Sequence, residues 1–188
     1  MQAAVIYDGQ YGSTKEYAQW IALGSGIPVF HVSNKTHYCL DDYDTIVIGS
    51  SISAGKLIIG NWVKNHWKDL RNKKIVLFSV SGTPSQAKDT LKKILDRSLT
   101  PDIISHVSYH PLRGRMIFEK LPLKIRILMR VVSFFMKDPN VRRGMTQSYD
   151  FVSRKDIEPV IRDMQSGKES VGHKKDYETE TKPSMIMN

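Results

Sequence analysis

The chain has 188 residues, long enough for one well-filled core and too short for two ordinary domains, so a single unit with a loose end is expected. Its 28 Lys and Arg against 19 Asp and Glu leave a net charge of +9, which points to an acidic partner or surface. Cys39 is the sole cysteine, which excludes an internal disulfide framework and every multi-cysteine metal site. The start, Met-Gln-Ala-Ala-Val-Ile-Tyr, lacks the basic and apolar pattern of an export signal, and no apolar run approaches the ~20 residues that span a bilayer. A cytoplasmic protein is therefore expected, one that lies on a membrane if it meets one.

Along the chain, short β-branched runs alternate with amphipathic stretches, the pattern of βαβ units around a buried parallel sheet. Ala3 to Tyr7 is the first predicted strand, followed by a helix from Thr14 to Leu23 that Gly24 and Gly26 close. Pro28 to Val32 and Thr45 to Ser50 are the second and third strands. A helix over Ile59 to Leu70 carries Trp62, Val63, His66 and Trp67 on one stripe, read as core packing. Lys74 to Val80 is the fourth strand, Pro84 to Arg97 a helix started by its proline, and Ile103 to Tyr109 the fifth strand. Leu112 to Met136 is expected as two helical pieces divided at Leu121 and Pro122, and Asp156 to Gln165 as a last helix with Pro159 in its first turn. Residues 1–165 then form the domain, and 166–188 a flexible polar tail.

Between the first strand and helix lies Asp8-Gly9-Gln10-Tyr11-Gly12-Ser13-Thr14. Glycines, hydroxyls and a helix N-terminus in one turn can cradle an anion, since backbone N–H groups and the helix dipole point the same way. It lacks the Gly-Lys-Ser/Thr ending of a Walker loop and the G-x-G-x-x-G of a dinucleotide fold. A plain helix cap would read the same, and from this turn alone both readings stay open. Two further strand ends are small as well: Gly49-Ser50-Ser51-Ile52-Ser53-Ala54-Gly55 and Ser79-Val80-Ser81-Gly82-Thr83-Pro84. In an open α/β sheet such loops meet at one crevice, with room for a flat ring.

These residues resemble the flavodoxin-like family, and within it the menaquinone-dependent protoporphyrinogen oxidases. The resemblance rests on Gly12-Ser13-Thr14, on Tyr43-Asp44-Thr45-Ile46-Val47-Ile48-Gly49-Ser50-Ser51-Ile52, on Phe78-Ser79-Val80 and on Leu112-Arg113 with the basic stretch beyond it. It implies a doubly wound five-stranded parallel sheet in the order 2-1-3-4-5, with helices on both faces. It implies FMN as cofactor, its phosphate bound by Gln10, Tyr11, Gly12, Ser13 and Thr14, and its ring lined by Ser51, Ile52, Ser53, Gly55, Ser81 and Gly82. Two departures stand out: the ring loops carry no stacking aromatic residue, which leaves one flavin face open, and Ser81 to Thr100 is shorter than in the oxidases.

From Leu112 to Arg143 basic residues are interleaved with bulky apolar ones, with only Glu119 and Asp138 opposing them. The segment suits the surface of an anionic membrane, and equally the last core helix or a dimer seam. Aliphatic rather than base-stacking side chains lie between the charges, so no nucleic-acid partner is expected. The six histidines lack metal-ligand spacing, no catalytic triad is visible, and no metal is expected. His110 and Arg113 are the candidates for touching an acidic substrate. The functions in contention are an FMN-dependent oxidoreductase passing electrons from a reduced substrate to a quinone-type acceptor, a flavodoxin-type carrier serving protein partners, and a flavin-free module anchored by its basic helix.

Overall fold

The computed structural model describes residues 2–34, 38–135 and 146–166. Five parallel strands form its centre: β1 (Ala3–Asp8), β2 (Val29–His31), β3 (Thr45–Ser53), β5 (Lys74–Ser81) and β6 (Val107–Arg113), in the spatial order β2-β1-β3-β5-β6. Between them in sequence, the short β4 (Lys56–Leu57) pairs antiparallel with the end of β3. Counting only the five parallel strands, the order is the expected 2-1-3-4-5. The central three read as nearly continuous apolar runs because helices cover both faces.

Alternation along the strands sorts their side chains between two cores. Val5, Val47, Val76 and Phe78 face helix α1 (Ser13–Ser25) and the last helix, α7 (Glu158–Gln165), which contributes Val160 and Met164. Ile6, Ile46, Ile48, Ile75 and Leu77 face the other way. There they meet α2 (Gly60–Asn65), α3 (Trp67–Leu70), α4 (Lys88–Ser98) and α5 (Pro101–His106). A Cβ on Gly49 would overlap the ring of Phe78, its register partner on β5, so only glycine lets that ring approach β3 so closely.

Several boundaries differ from expectation, each for a local reason. The run Ile103 to His106 is helix and not strand: Thr100 is extended, Pro101 opens α5, and Ile103 turns into the core, which moves β6 on to Val107–Arg113. Pro84 lies in a turn whose C=O accepts the Ala87 N–H, and α4 starts only at Lys88. The helix expected over 59–70 is two, because His66 leaves helical geometry at φ −103° and its ring bonds to the Trp62 carbonyl at 2.9 Å. Gly24 lies inside α1, which ends instead at Gly26 in the left-handed conformation. A 3-10 turn over Arg154–Ile157 occupies the start of the last expected helix.

Past β6 the chain forms β7 (Arg115–Met116), a 3-10 turn over Phe118–Lys120, and α6 (Leu123–Phe134). It returns as β8 (Tyr149–Asp150), antiparallel to β7. The expected break at Leu121 and Pro122 is where α6 begins, but the piece before it is strand and 3-10 turn rather than helix. The expected tail beyond Ser166 lies outside the described residues.

Candidate functional site

The carboxyl ends of β1, β3 and β5 open on one side of the sheet, and a cavity of about 230 Å³ lies against them. Its wall includes Tyr11, Ser13 and Thr14 from the first loop, Ser51, Ile52 and Ser53 from the second, and Ser81 and Gly82 from the third. These eight were all predicted. Gln10, Gly12 and Gly55 lie on the same loops without lining the cavity.

Gly12 turns the chain into α1 at φ +90°, a conformation that a side chain would strain, and its C=O accepts the Glu16 N–H at 2.9 Å. No side chain caps the helix, so its first-turn N–H groups remain available to an anion. Ser13 and Thr14 are buried beside them. The Ser13 hydroxyl accepts the Arg115 backbone N–H at 3.2 Å, leaving its own proton to donate.

At the second loop, β3 turns into β4 through a two-residue hairpin, with Ser53 paired to Lys56. Ala54 and Gly55 both have positive φ, +49° and +71°, as a type I′ turn demands. Ser98 anchors the hairpin from below by accepting the Leu57 N–H at 2.8 Å. The Ser51 hydroxyl is buried at the cavity wall with no protein partner, the state of a polar atom whose bond is made by something else. At the third loop the Ser81 hydroxyl accepts the Thr83 N–H at 3.1 Å, and a Cβ on Gly82 would overlap Tyr149.

The other side of the cavity comes from Tyr149 and from residues of the basic amphipathic segment 112–143, none of which was expected at the site. Arg115, Met116 and Tyr149 line it, as do Leu121, Ile125 and Met129 along α6 and the stretch before it. The cavity is thus lined on that side as well, by residues outside the three loops. The Tyr149 ring stacks on Phe151 at 5.1 Å, and burial raises the Tyr149 phenol above its ordinary pKa against the pull of Arg113. The Arg115 guanidinium lies 3.3 Å from Glu16, in the first turn of α1, and 2.6 Å from Asp150, its one charge shared between two carboxylates. A backbone bond from Val152, and then the one from Arg115, holds the Asp150 carboxyl below its usual range.

The two candidates for an acidic substrate have protein partners instead. His110 Nε2 lies 2.8 Å from Asp163, and the Arg113 guanidinium sits 3.6 Å over the Phe151 ring with a bond to the Gly82 carbonyl. Neither reaches the cavity wall. Among the described residues, no group of His, Cys, Asp and Glu could hold a metal ion.

A family model of the flavodoxin domain matches residues 4–142. The chain belongs to the flavodoxin domain family. No curated protein sequence matches it. Among solved structures, this flavodoxin domain is similar to a WrbA-like flavodoxin from Agrobacterium tumefaciens, at 12% identity over 87% of this chain and 99% of that one, with a TM-score of 0.41. It is also similar to a flavoprotein in complex with FMN from Lactobacillus acidophilus, at 15% identity over 60% and 91% of the two chains, TM-score 0.41. Oxidised flavodoxin 2 from Bacillus cereus is a third, at 15% identity over 78% and 93%, TM-score 0.36.

Proposed function

We propose that this flavodoxin domain is an FMN-dependent oxidoreductase, resembling the menaquinone-dependent protoporphyrinogen oxidases, that passes electrons from a reduced substrate to a quinone-type acceptor. The observation that carries the cofactor is the unpartnered Ser51 hydroxyl in a cavity that also receives the uncapped N-terminus of α1. That arrangement fits a phosphorylated flat ring, and FMN is the cofactor of the family. Bound there, FMN supplies reversible two-electron chemistry.

The protein's own residues bind, orient and shield. Gln10 to Thr14 offer backbone N–H groups and hydroxyls to the phosphate, with Gly12 giving the close approach. Ser51, Ile52, Ser53, Ser81 and Gly82 would border the ring, with Gly55 on the same loop as Ser53, and backbone groups and the Ser51 hydroxyl would hold it. Leu121, Ile125 and Met129 exclude water from the opposite side. The cavity is smaller than the ~300–1,000 Å³ common for ligand sites, so its wall would have to open for the cofactor to enter.

A quinone-type acceptor is lipid-soluble, which makes a membrane surface, at the inner face of the plasma membrane, part of this reading. A net charge of +9 agrees in sign with anionic lipid and opposes docking on the basic partners that acidic electron carriers use. The test begins with the absorbance spectrum of the purified protein and its titration with FMN. The chemically reduced protein is then offered a quinone analogue and, separately, an electron-carrier protein. Rapid reoxidation by the quinone is expected; reoxidation by the carrier protein alone supports an electron-transfer flavodoxin without its own substrate. Failure to take up FMN would overturn both.

A further inference from the structure

Helix α6 has two apolar faces. Leu121, Ile125 and Met129, spaced one turn apart, line the cavity. On the opposite side Leu123, Ile127 and Val131 repeat at the same spacing and are 67%, 54% and 53% exposed. At ~100° per residue these three, with Phe134, fall within about 80° of the helix circumference. Leu128 and Phe135 extend the exposed surface at 56% and 74%. Of the large apolar residues that stand exposed in the described part of the chain, most belong to this one segment. A patch so concentrated marks a contact surface.

The charges bordering the stripe identify what it contacts. Lys124 flanks one edge, while Arg126 and Arg130 flank the other, each guanidinium 5.6 to 5.7 Å from the Phe118 ring. Between Leu121 and Phe135 there is no Asp or Glu. A second copy laid stripe to stripe would set Lys124, Arg126 and Arg130 against their own kind, with Glu119, which lies near Arg126, offsetting at most one of the three. An apolar stripe whose borders carry three cations, with Glu119 near Arg126 offsetting one of them, is complementary to an anionic bilayer: hydrocarbon for the stripe and phosphate headgroups for its edges.

We propose that the outer face of α6 docks this protein on an anionic membrane, so that the helix walling the cavity on one side touches lipid on the other. The docking stands on α6 alone. Only its meaning, delivery of a membrane-dissolved acceptor beside the cofactor, rests on the function proposed above. Full-length protein is sedimented with vesicles of phosphatidylcholine alone or mixed with phosphatidylglycerol, with and without added salt.

Binding at least about tenfold stronger to the mixed vesicles is expected, weakening as salt is added. An Ile127→Glu/Val131→Glu pair should abolish it, and a Lys124→Glu/Arg130→Glu pair should remove the preference for anionic lipid. Both pairs lie outside the cavity wall, so FMN uptake and the far-ultraviolet dichroism spectrum should not change. Independently, Val131→Trp should show emission shifted to the blue when mixed vesicles are added. Wild-type protein that ignores the vesicles, substituted pairs that bind like wild type, or an unshifted emission from the Val131→Trp variant would each overturn the proposal. So would a dimer that forms without lipid and is split by the Ile127→Glu/Val131→Glu pair. Vesicle binding without FMN uptake would leave this proposal standing and remove the flavin reading; the reverse result would remove this proposal alone.

Discussion

Tyr17 is fully buried, and its hydroxyl ties together three stretches that are far apart in sequence. It donates to the Arg113 carbonyl at 2.9 Å, accepts the Ser153 N–H at 3.1 Å and lies 3.4 Å from Asp156. Burial is the main cause that pushes its pKa from 10.0 to about 12. A raised acid of this kind stabilises the fold fully below the ordinary value and loses that contribution as pH rises through the folded one. Tyr17→Phe should cost about 1–3 kcal/mol at neutral pH, since it strands a buried carbonyl and N–H. In denaturant melts the gap between wild type and Tyr17→Phe should narrow between pH 10 and about 12. Arg115 acts at the site itself. Its replacement by Ala removes a cation from the cavity wall and leaves Glu16, in the first turn of α1, and Asp150 without theirs. FMN affinity by fluorescence titration should fall by about tenfold, ~1.4 kcal/mol, and Glu16→Gln in that background should restore part of it.

The β3–β4 hairpin holds Ala54 at φ +49°, where an L side chain is strained by roughly 1–2 kcal/mol. Asn accepts that conformation, and Asn-Gly is the preferred pair for this turn. Ala54→Asn should therefore raise the melting temperature by roughly 1–4 °C, reflecting about 0.5–1 kcal/mol. The hairpin was not legible in the sequence, because its turn is written Ala-Gly rather than in its usual residues. Ile103-Ile104-Ser105 was misread for the opposite reason. Its β-branched residues favour strand, while the helix rests on Thr100 and Pro101 before them. The central strands were legible because burial on both faces leaves long uninterrupted apolar runs, as in Ile75 to Phe78.

The site divides in the same way between local and distant sequence. Its phosphate turn and small-residue loops lie where strands end, and a strand end can be read from a few neighbouring residues. Arg115 meets Ser13 across 102 positions, and Leu121, Ile125 and Met129 reach the cavity only because the chain folds back over the sheet. Spacing showed that α6 has an apolar face, but it could not say which of two faces met the protein. Since the cavity joins three strand-end loops to α6, a ligand there couples parts of the chain that otherwise touch little. FMN at about a hundredfold its dissociation constant should add ~2.7 kcal/mol and raise the melting temperature by roughly 5–11 °C, measurable by calorimetry.

The pairing of Met116 with Tyr149 means that the chain departs toward α6 and comes back at neighbouring positions. Among the described residues, 117–135 join the main sheet through this doorway and through the cavity wall alone, so they can be exchanged without any strand of the main sheet changing register. In a lineage of such proteins, the sheet and its phosphate turn can stay constant while the piece beyond the doorway is rewritten. A cofactor-holding scaffold of this design can acquire a new donor, acceptor or resting place by editing one contiguous stretch of gene.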